Sequence, residues 1–184
     1  MASRNVNDMQ LGYNSRAMFF LKSQHLGWRH WHQEDLPLAQ QLWGDARVTK
    51  FIAGGMTAEQ VAERLRREIA QQEEFTVQYW PIFWLESGEF VGCCGLRPYE
   101  NIYELGFHLR PEFWGKGLAE EAGRAVIQYA FNVMQVKELF AGHHPDNRPS
   151  WRVLEKLGFI YVGDEIYPPT GLMNPGYRLR NNVL

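Results

Sequence analysis

Positions 109–119 read Leu-Arg-Pro-Glu-Phe-Trp-Gly-Lys-Gly-Leu-Ala, between an alternating apolar run that ends at Leu109 and an amphipathic stretch that begins at Leu118. Pro111 and two glycines break both a continuous strand and a continuous helix, so the segment is a strand-to-helix turn. Gly115 and Gly117 can take dihedrals that side chains disfavour and let the backbone approach a ligand closely. The first amides of the following helix have no intrahelical acceptor and lie at the positive end of its dipole. A phosphate or pyrophosphate suits such a place. From the residues alone a tight connector without a ligand is an equal reading. The three-glycine dinucleotide fingerprint is absent, and no Gly-Lys-Ser/Thr completes a P-loop.

The flanking sequence sets the fold class. Met18 to Trp31 reads as extended, and Asp35 with Pro37 opens a helix carrying Leu38, Leu42 and Trp43. Thr57-Ala-Glu-Gln60 is a capping box, followed by Val61, Leu65 and Ile69 on one helix face to about Gln72. Thr76 to Leu85 and Phe90 to Leu96 read as a hairpin, and Asn101 to Leu109 as a further strand. A helix over Leu118 to Phe131 and a strand over Lys137 to His143 come next. A short helix then runs from Asp146-Asn147 to a stop at Gly158, followed by strands at Phe159 to Val162 and Gly176 to Leu179. Helices interleave with strands, so the class is α/β or α+β with a mixed sheet.

The chain has 184 residues, which fits an N-terminal arm over 1–17 and a single domain over 18–184. Nineteen Lys plus Arg against 21 Asp plus Glu argue against an electrostatic nucleic-acid binder. No run of 18 apolar residues and no leader-like start are present, so we expect no membrane partner and a soluble, cytoplasmic protein. Two adjacent cysteines, Cys93 and Cys94, cannot build a disulfide scaffold or a four-cysteine zinc site. His30 and His32 have ligand spacing but no third ligand nearby, so no metal is expected.

Leu109-x-Pro111-x-x-Trp114-Gly-Lys-Gly-x-Ala119 resembles the coenzyme A signature of the GNAT N-acetyltransferase superfamily, in particular its RimJ/RimL branch. Trp114 departs from the Gln/Arg of that signature. Asn147-x-x-Ser150-x-x-x-Leu154-Glu-Lys-Leu-Gly-Phe159 resembles the superfamily's second motif, and the likeness spans roughly residues 18 to 182. The resemblance implies a mostly antiparallel sheet of six to seven strands with helices on both faces and a V-shaped splay between the fourth and fifth strands. It implies acetyl-CoA as co-substrate. The amides of Gly115, Lys116, Gly117, Leu118 and Ala119 would hold the pyrophosphate beside Trp114. The backbone of Phe107, His108 and Leu109 would hold the pantetheine arm, and Asn147 and Ser150 would face the cofactor.

The implied chemistry is direct acyl transfer to a primary amine, either a protein N-terminus, as on a ribosomal protein, or a small molecule. An ammonium must first lose a proton, and the departing thiolate takes one. The Tyr that many members use as acid is replaced by Leu154, and Ser150 stands in the place that RimJ/RimL-like proteins use. Glu104, a carboxylate in a central strand, is the candidate base or else the partner of a Lys or Arg. His143 and His144 are alternative bases or solvated strand-end residues. One cysteine of the pair is expected in the core. The charges at Glu63, Arg64, Arg66, Arg67 and Glu68 read as a solvated helix face. The rival function is a silent acyl-CoA-binding domain acting through interactions, as a monomer or homodimer.

Overall fold

The computed structural model describes residues 19–52, 54–168 and 170–181; the expected arm over 1–17 lies outside the described residues. The strands are β1 (Leu21–Lys22), β2 (Leu26–Trp28), β3 (Pro81–Trp84), β4 (Phe90–Tyr99), β5 (Ile102–Leu109), β6 (Glu138–Gly142), β7 (Ile160–Tyr167) and β8 (Leu172–Arg180). The helices are α1 (Leu36–Trp43), α2 (Ala46–Thr49), α3 (Ala58–Phe75), α4 (Leu118–Asn132) and α5 (Arg148–Lys156), with single 3-10 turns at Gln33–Asp35 and Pro111–Phe113. One sheet takes the order β1-β2-β3-β4-β5-β6-β8-β7. Every neighbouring pair is antiparallel except β5 with β6.

The class is therefore the expected mixed, mostly antiparallel one, with eight strands rather than six to seven. The extra strand comes from a fold-back that no glycine or proline announces. The Ser23 amide bonds the Leu26 carbonyl at 2.9 Å, which splits the expected first strand into β1 and β2.

Helices cover both faces. Leu105, Leu109, Leu139, Ala122, Val126 and Leu154 form the core beneath α4 and α5. Trp43, Leu42, Val61, Leu65, Tyr79 and Phe90 form the core beneath α1 and α3. Side chains alternate across a strand, so Cys93 and Cys94 enter opposite cores and both are fully buried, where only one was expected to be. The capping box forms as read, with the Gln60 amide on the Thr57 hydroxyl at 3.2 Å and the Thr57 amide on Gln60 at 2.8 Å. α3 runs past Gln72 until Thr76 turns left-handed.

Residues 77–80 then lie along β4 on one side only, the Leu96 and Cys94 amides bonding the carbonyls of Gln78 and Trp80. This crossing needs Gly95, where a Cβ would sit 2.0 Å from the Gln78 carbonyl oxygen. β5 pairs with β6 at Tyr103–Leu139 and Glu104–Phe140 alone, and over 105–109 it pairs only with β4. The sheet therefore opens from Glu104 onward, at the place expected to splay.

Leu139, fully buried beside the last shared pairing, holds this apex in the core. Leu139→Ala should lower unfolding free energy by about 2–5 kcal/mol, the range for a buried leucine. Exposed Val133→Ala should stay within about 0.5 kcal/mol. Urea unfolding of the two variants checks both.

Candidate active site

The turn after β5 is pinned to the strand it leaves. The Trp114 indole N–H donates to the Leu109 carbonyl at 2.7 Å, and the Trp114 amide to Pro111 at 3.1 Å. Gly115 (φ 72°) and Gly117 (φ 77°) are left-handed, and a Cβ at either would meet nothing within 4 Å. Backbone conformation, not crowding, is what calls for glycine at both places. α4 starts from Gly117 with no side-chain cap, so its first amides stay available to an anion.

The acidic residues of this first turn are occupied elsewhere. Glu120 bonds Arg124 and Lys156, which hold its carboxyl below the ordinary range. Burial pushes Glu121 up, but bonds from Ser23 and His25 outweigh it and bring its carboxyl below the usual value. The two carboxylates are thus bonded to partners away from the turn amides. The unshared stretch 105–109 and the α4 amides open on the same gap, which fits the residues to an elongated phosphorylated ligand such as coenzyme A.

α5 flanks the gap. Asn147 caps it, accepting from the Ser150 amide at 3.3 Å, so part of its side chain is spent on the helix rather than free for a ligand. Ser150 is half-buried, and its hydroxyl bonds no described residue. Leu154 is in the core, so the vacant Tyr position is filled by packing.

Glu104, Gly106 and His108 share the face of β5 turned toward α1 and α3. The His108 Nδ1 accepts from the Trp43 indole at 3.3 Å, with the Cys93 sulfur at 3.7 Å. Burial, then Arg64 and Arg97, hold this imidazole neutral. Tyr79 lies over Gly106, where a Cβ would sit 2.3 Å from its hydroxyl oxygen. Burial and the nearby Glu104 push the Tyr79 phenol well up. Burial raises the Glu104 carboxyl above the ordinary value; Arg97, Arg64 and Tyr79 pull it back, and Glu165 adds to the rise.

The expected solvated face of α3 is corrected here. Glu63 and Arg66 do pair in solvent, but Arg64 and Glu68 are buried. Glu68 takes Arg64 Nε at 3.0 Å, Arg97 Nη2, and the Tyr79 amide at 2.8 Å. The Arg97 guanidinium lies 4.0 Å over the Tyr79 ring. Arg97 stands directly opposite Glu104 in the β4–β5 register, yet no Lys or Arg nitrogen among the described residues is within 4.0 Å of the Glu104 carboxylate. Sequence reasoning missed Arg64, Glu68, Tyr79 and Arg97. One signal was present: positions 64 and 68 fall on the stripe of Val61 and Leu65.

The two histidines after β6 diverge rather than share a region. His143 is buried against Tyr177, its Nδ1 donating to the His144 carbonyl at 2.8 Å and its Nε2 accepting from the Tyr177 hydroxyl at 3.2 Å. His143 is therefore a held core residue, not a solvated one. His144 turns to Phe51, 5.0 Å between ring centres, and its Nδ1 accepts from the Asp146 amide.

A split sheet with a glycine turn and an uncapped helix at its open end is a fold suited to holding an elongated anionic ligand. Residues 25–160 match the family described as acetyltransferase (GNAT) domain. YnaD of Bacillus subtilis, an uncharacterised N-acetyltransferase, is 26% identical over 73% of this chain and 79% of its own. A GNAT-family acetyltransferase structure from Bacillus anthracis has a TM-score of 0.76 at 25% identity, covering 89% of this chain and 98% of that one. RimL, a ribosomal L7/L12 α-N-protein acetyltransferase solved with coenzyme A, shares the fold with a TM-score of 0.75 at 16% identity, covering 88% and 97%. The chain belongs to the GNAT acetyltransferase family, and it is an acyltransferase of acetyl-CoA-dependent N-acetylation.

Burial pushes the Cys93 thiol up to about 12 and Cys94 well above its usual value, so neither offers a thiolate at neutral pH. A disulfide-exchange thiol titration should find no fast-reacting group in the native protein and two after denaturation. Gly117→Glu should leave a folded protein that no longer binds coenzyme A, its side chain straining the left-handed turn and its carboxylate repelling the anion. Calorimetric titration with coenzyme A checks this, and retained affinity would make the turn a mere connector.

Proposed function

We propose that this protein transfers the acetyl group of acetyl-CoA directly to a primary amine, of a protein N-terminus such as that of a ribosomal protein or of a small molecule. One observation carries the reading: Glu104, with no cation among the described residues on its carboxylate, stands at the last residue pair that β5 shares with β6. The apex of the split is where a thioester lying along β5 and an amine from the α1–α3 side would meet.

Bound acetyl-CoA supplies the activated acetyl group. The amides of Gly115, Lys116, Gly117, Leu118 and Ala119 hold the pyrophosphate, and the Lys116 ammonium, which lies over the Phe113 ring, adds a positive charge. The unshared edge of Phe107, His108 and Leu109, less the Leu109 carbonyl that Trp114 takes, orients the pantetheine arm. The Glu104 carboxylate takes a proton from the acceptor ammonium, directly or through water, and its burial raises its affinity for that proton. The Ser150 hydroxyl, which bonds no described residue, donates toward the departing sulfur. RimL acts on a ribosomal protein N-terminus, and its fold is shared here, which supports a protein N-terminus as one acceptor class.

Thiol release from acetyl-CoA, measured against a panel of amines and N-terminal peptides, tests this. Release that grows with one acceptor class is expected; tight coenzyme A binding with no transfer to any amine would make the protein a silent binder. Acetyl-CoA at 100 times its Kd should stabilise the fold by about 2.7 kcal/mol. Glu104→Gln and Ser150→Ala should each lower turnover roughly 10- to 10⁴-fold with coenzyme A affinity kept. The Glu104→Gln loss should shrink as pH rises, because a free amine needs no base, while the Ser150→Ala loss persists.

A further inference from the structure

We infer that Glu68 is a positioning residue for acetyl transfer: it holds Arg97 off Glu104 and so leaves the Glu104 carboxylate able to take the acceptor's proton. This rests on the reading of Glu104 as the proton acceptor.

Arg97 and Glu104 are directly opposed cross-strand neighbours, whose Cβ atoms lie about 5 Å apart in such pairs. An arginine there has the reach to clamp the carboxylate with two charge-assisted bonds. A carboxylate so clamped would have to give up the arginine before accepting a proton. Instead the guanidinium turns across the Tyr79 ring, 4.0 Å from its centre, to the fully buried Glu68.

Glu68 is built for this. One oxygen takes both Arg64 and Arg97, and the other takes the Tyr79 amide. That leaves the ring of Tyr79 as a spacer under Arg97 and its hydroxyl over Gly106, on the way to Glu104. Buried Nε of Arg97 and Nη2 of Arg64 have no partner among the described residues. Buried donors left unpaired are rare in folded proteins, and here they accompany a guanidinium drawn away from the nearest cross-strand carboxylate.

The groups that act on Glu104 are Arg97 on β4, Arg64 on α3, Tyr79 before β3 and Glu165 on β7; Glu68 reaches it only through Arg97 and Tyr79. In the step itself the acceptor ammonium becomes a neutral amine and Glu104 a carboxylic acid. The proton then leaves to solvent before the next turnover.

The test is the pH dependence of kcat/KM, with saturating acetyl-CoA and the best amine from the thiol-release panel. Glu68→Gln should free Arg97 to pair with Glu104, moving the acidic limb to lower pH and lowering the alkaline plateau roughly 10-fold. Arg97→Gln should move the acidic limb to higher pH, with a loss of roughly 10-fold at the acidic end that shrinks toward the plateau. Arg97→Lys should stay nearer the wild-type limb than Arg97→Gln. The double variant Glu68→Gln/Arg97→Gln should recover the plateau lost in Glu68→Gln, which a purely structural network would not do.

Limbs that shift in the same direction in both single variants, or a double variant no better than Glu68→Gln, would overturn the inference. Should Glu68→Gln fail to fold, a folded Arg97→Gln with an unmoved acidic limb overturns it equally. Glu104→Gln separates the two levels. If that variant keeps the wild-type profile, Glu104 is not the acceptor. If it loses the acidic limb while the Arg97 and Glu68 variants leave it in place, only the positioning role falls.

Discussion

The site depends on where β5 and β6 stop sharing hydrogen bonds. Up to Glu104 the strands are parallel neighbours; beyond it each is claimed by something else. The end of β5 stays on β4, and the Leu109 carbonyl is taken by the Trp114 indole. The end of β6 follows β8 through Gly142 and Gly176, and His143 just past it stacks on and bonds Tyr177. Phe140 lies flat on Tyr99, ring centres 4.0 Å apart, and a Cβ at Gly176 would come within 2.9 Å of its ring. These contacts hold the apex closed on one face while the strand ends separate. The gap is thus a product of satisfied groups on both sides, and its unpaired backbone is confined to the edge that a ligand can reach.

Charge placement on the α1–α3 face follows a second constraint. A buried ion cluster is expensive to desolvate, and removing one member leaves the others uncompensated. Here Glu68 binds two arginines that also rest on aromatic rings, Arg64 on Trp43 at 4.7 Å and Arg97 on Tyr79. The rings shield the cations from water while the shared carboxylate offsets part of their charge. Glu104 borders this cluster without being consumed by it.

What the sequence disclosed was what neighbouring residues decide. The Gly115–Gly117 turn, the Thr57 capping box and the Gly158 helix stop were all legible, because each depends on dihedrals and bonds within a few positions. The family resemblance at 109–119 and 147–159 added the splay and its place. The rest was set by distant partners. Arg64 and Glu68 read as solvent-facing because the residues they meet, Trp43, Tyr79 and Arg97, all lie outside their helix. His143 and His144 read alike, since Tyr177 and Phe51, which part them, are far along the chain. β7 and β8 exceed their expected lengths, as pairing with one another extends strands whose outer residues carry little alternation.

The tryptophans divide sharply. Of the seven in the chain, Trp28, Trp31, Trp43 and Trp80 are no more than 2% exposed and Trp84 is half-buried, whereas Trp114 is 49% and Trp151 39% exposed. The exposed pair stand on the two elements that flank the opening, one in the turn before α4 and one on α5. Fluorescence from the buried indoles forms a blue-shifted background that a dissolved quencher such as iodide hardly reaches. The quenchable fraction therefore comes chiefly from the two rims of the groove, and the native chain carries its own optical gauge of what enters there.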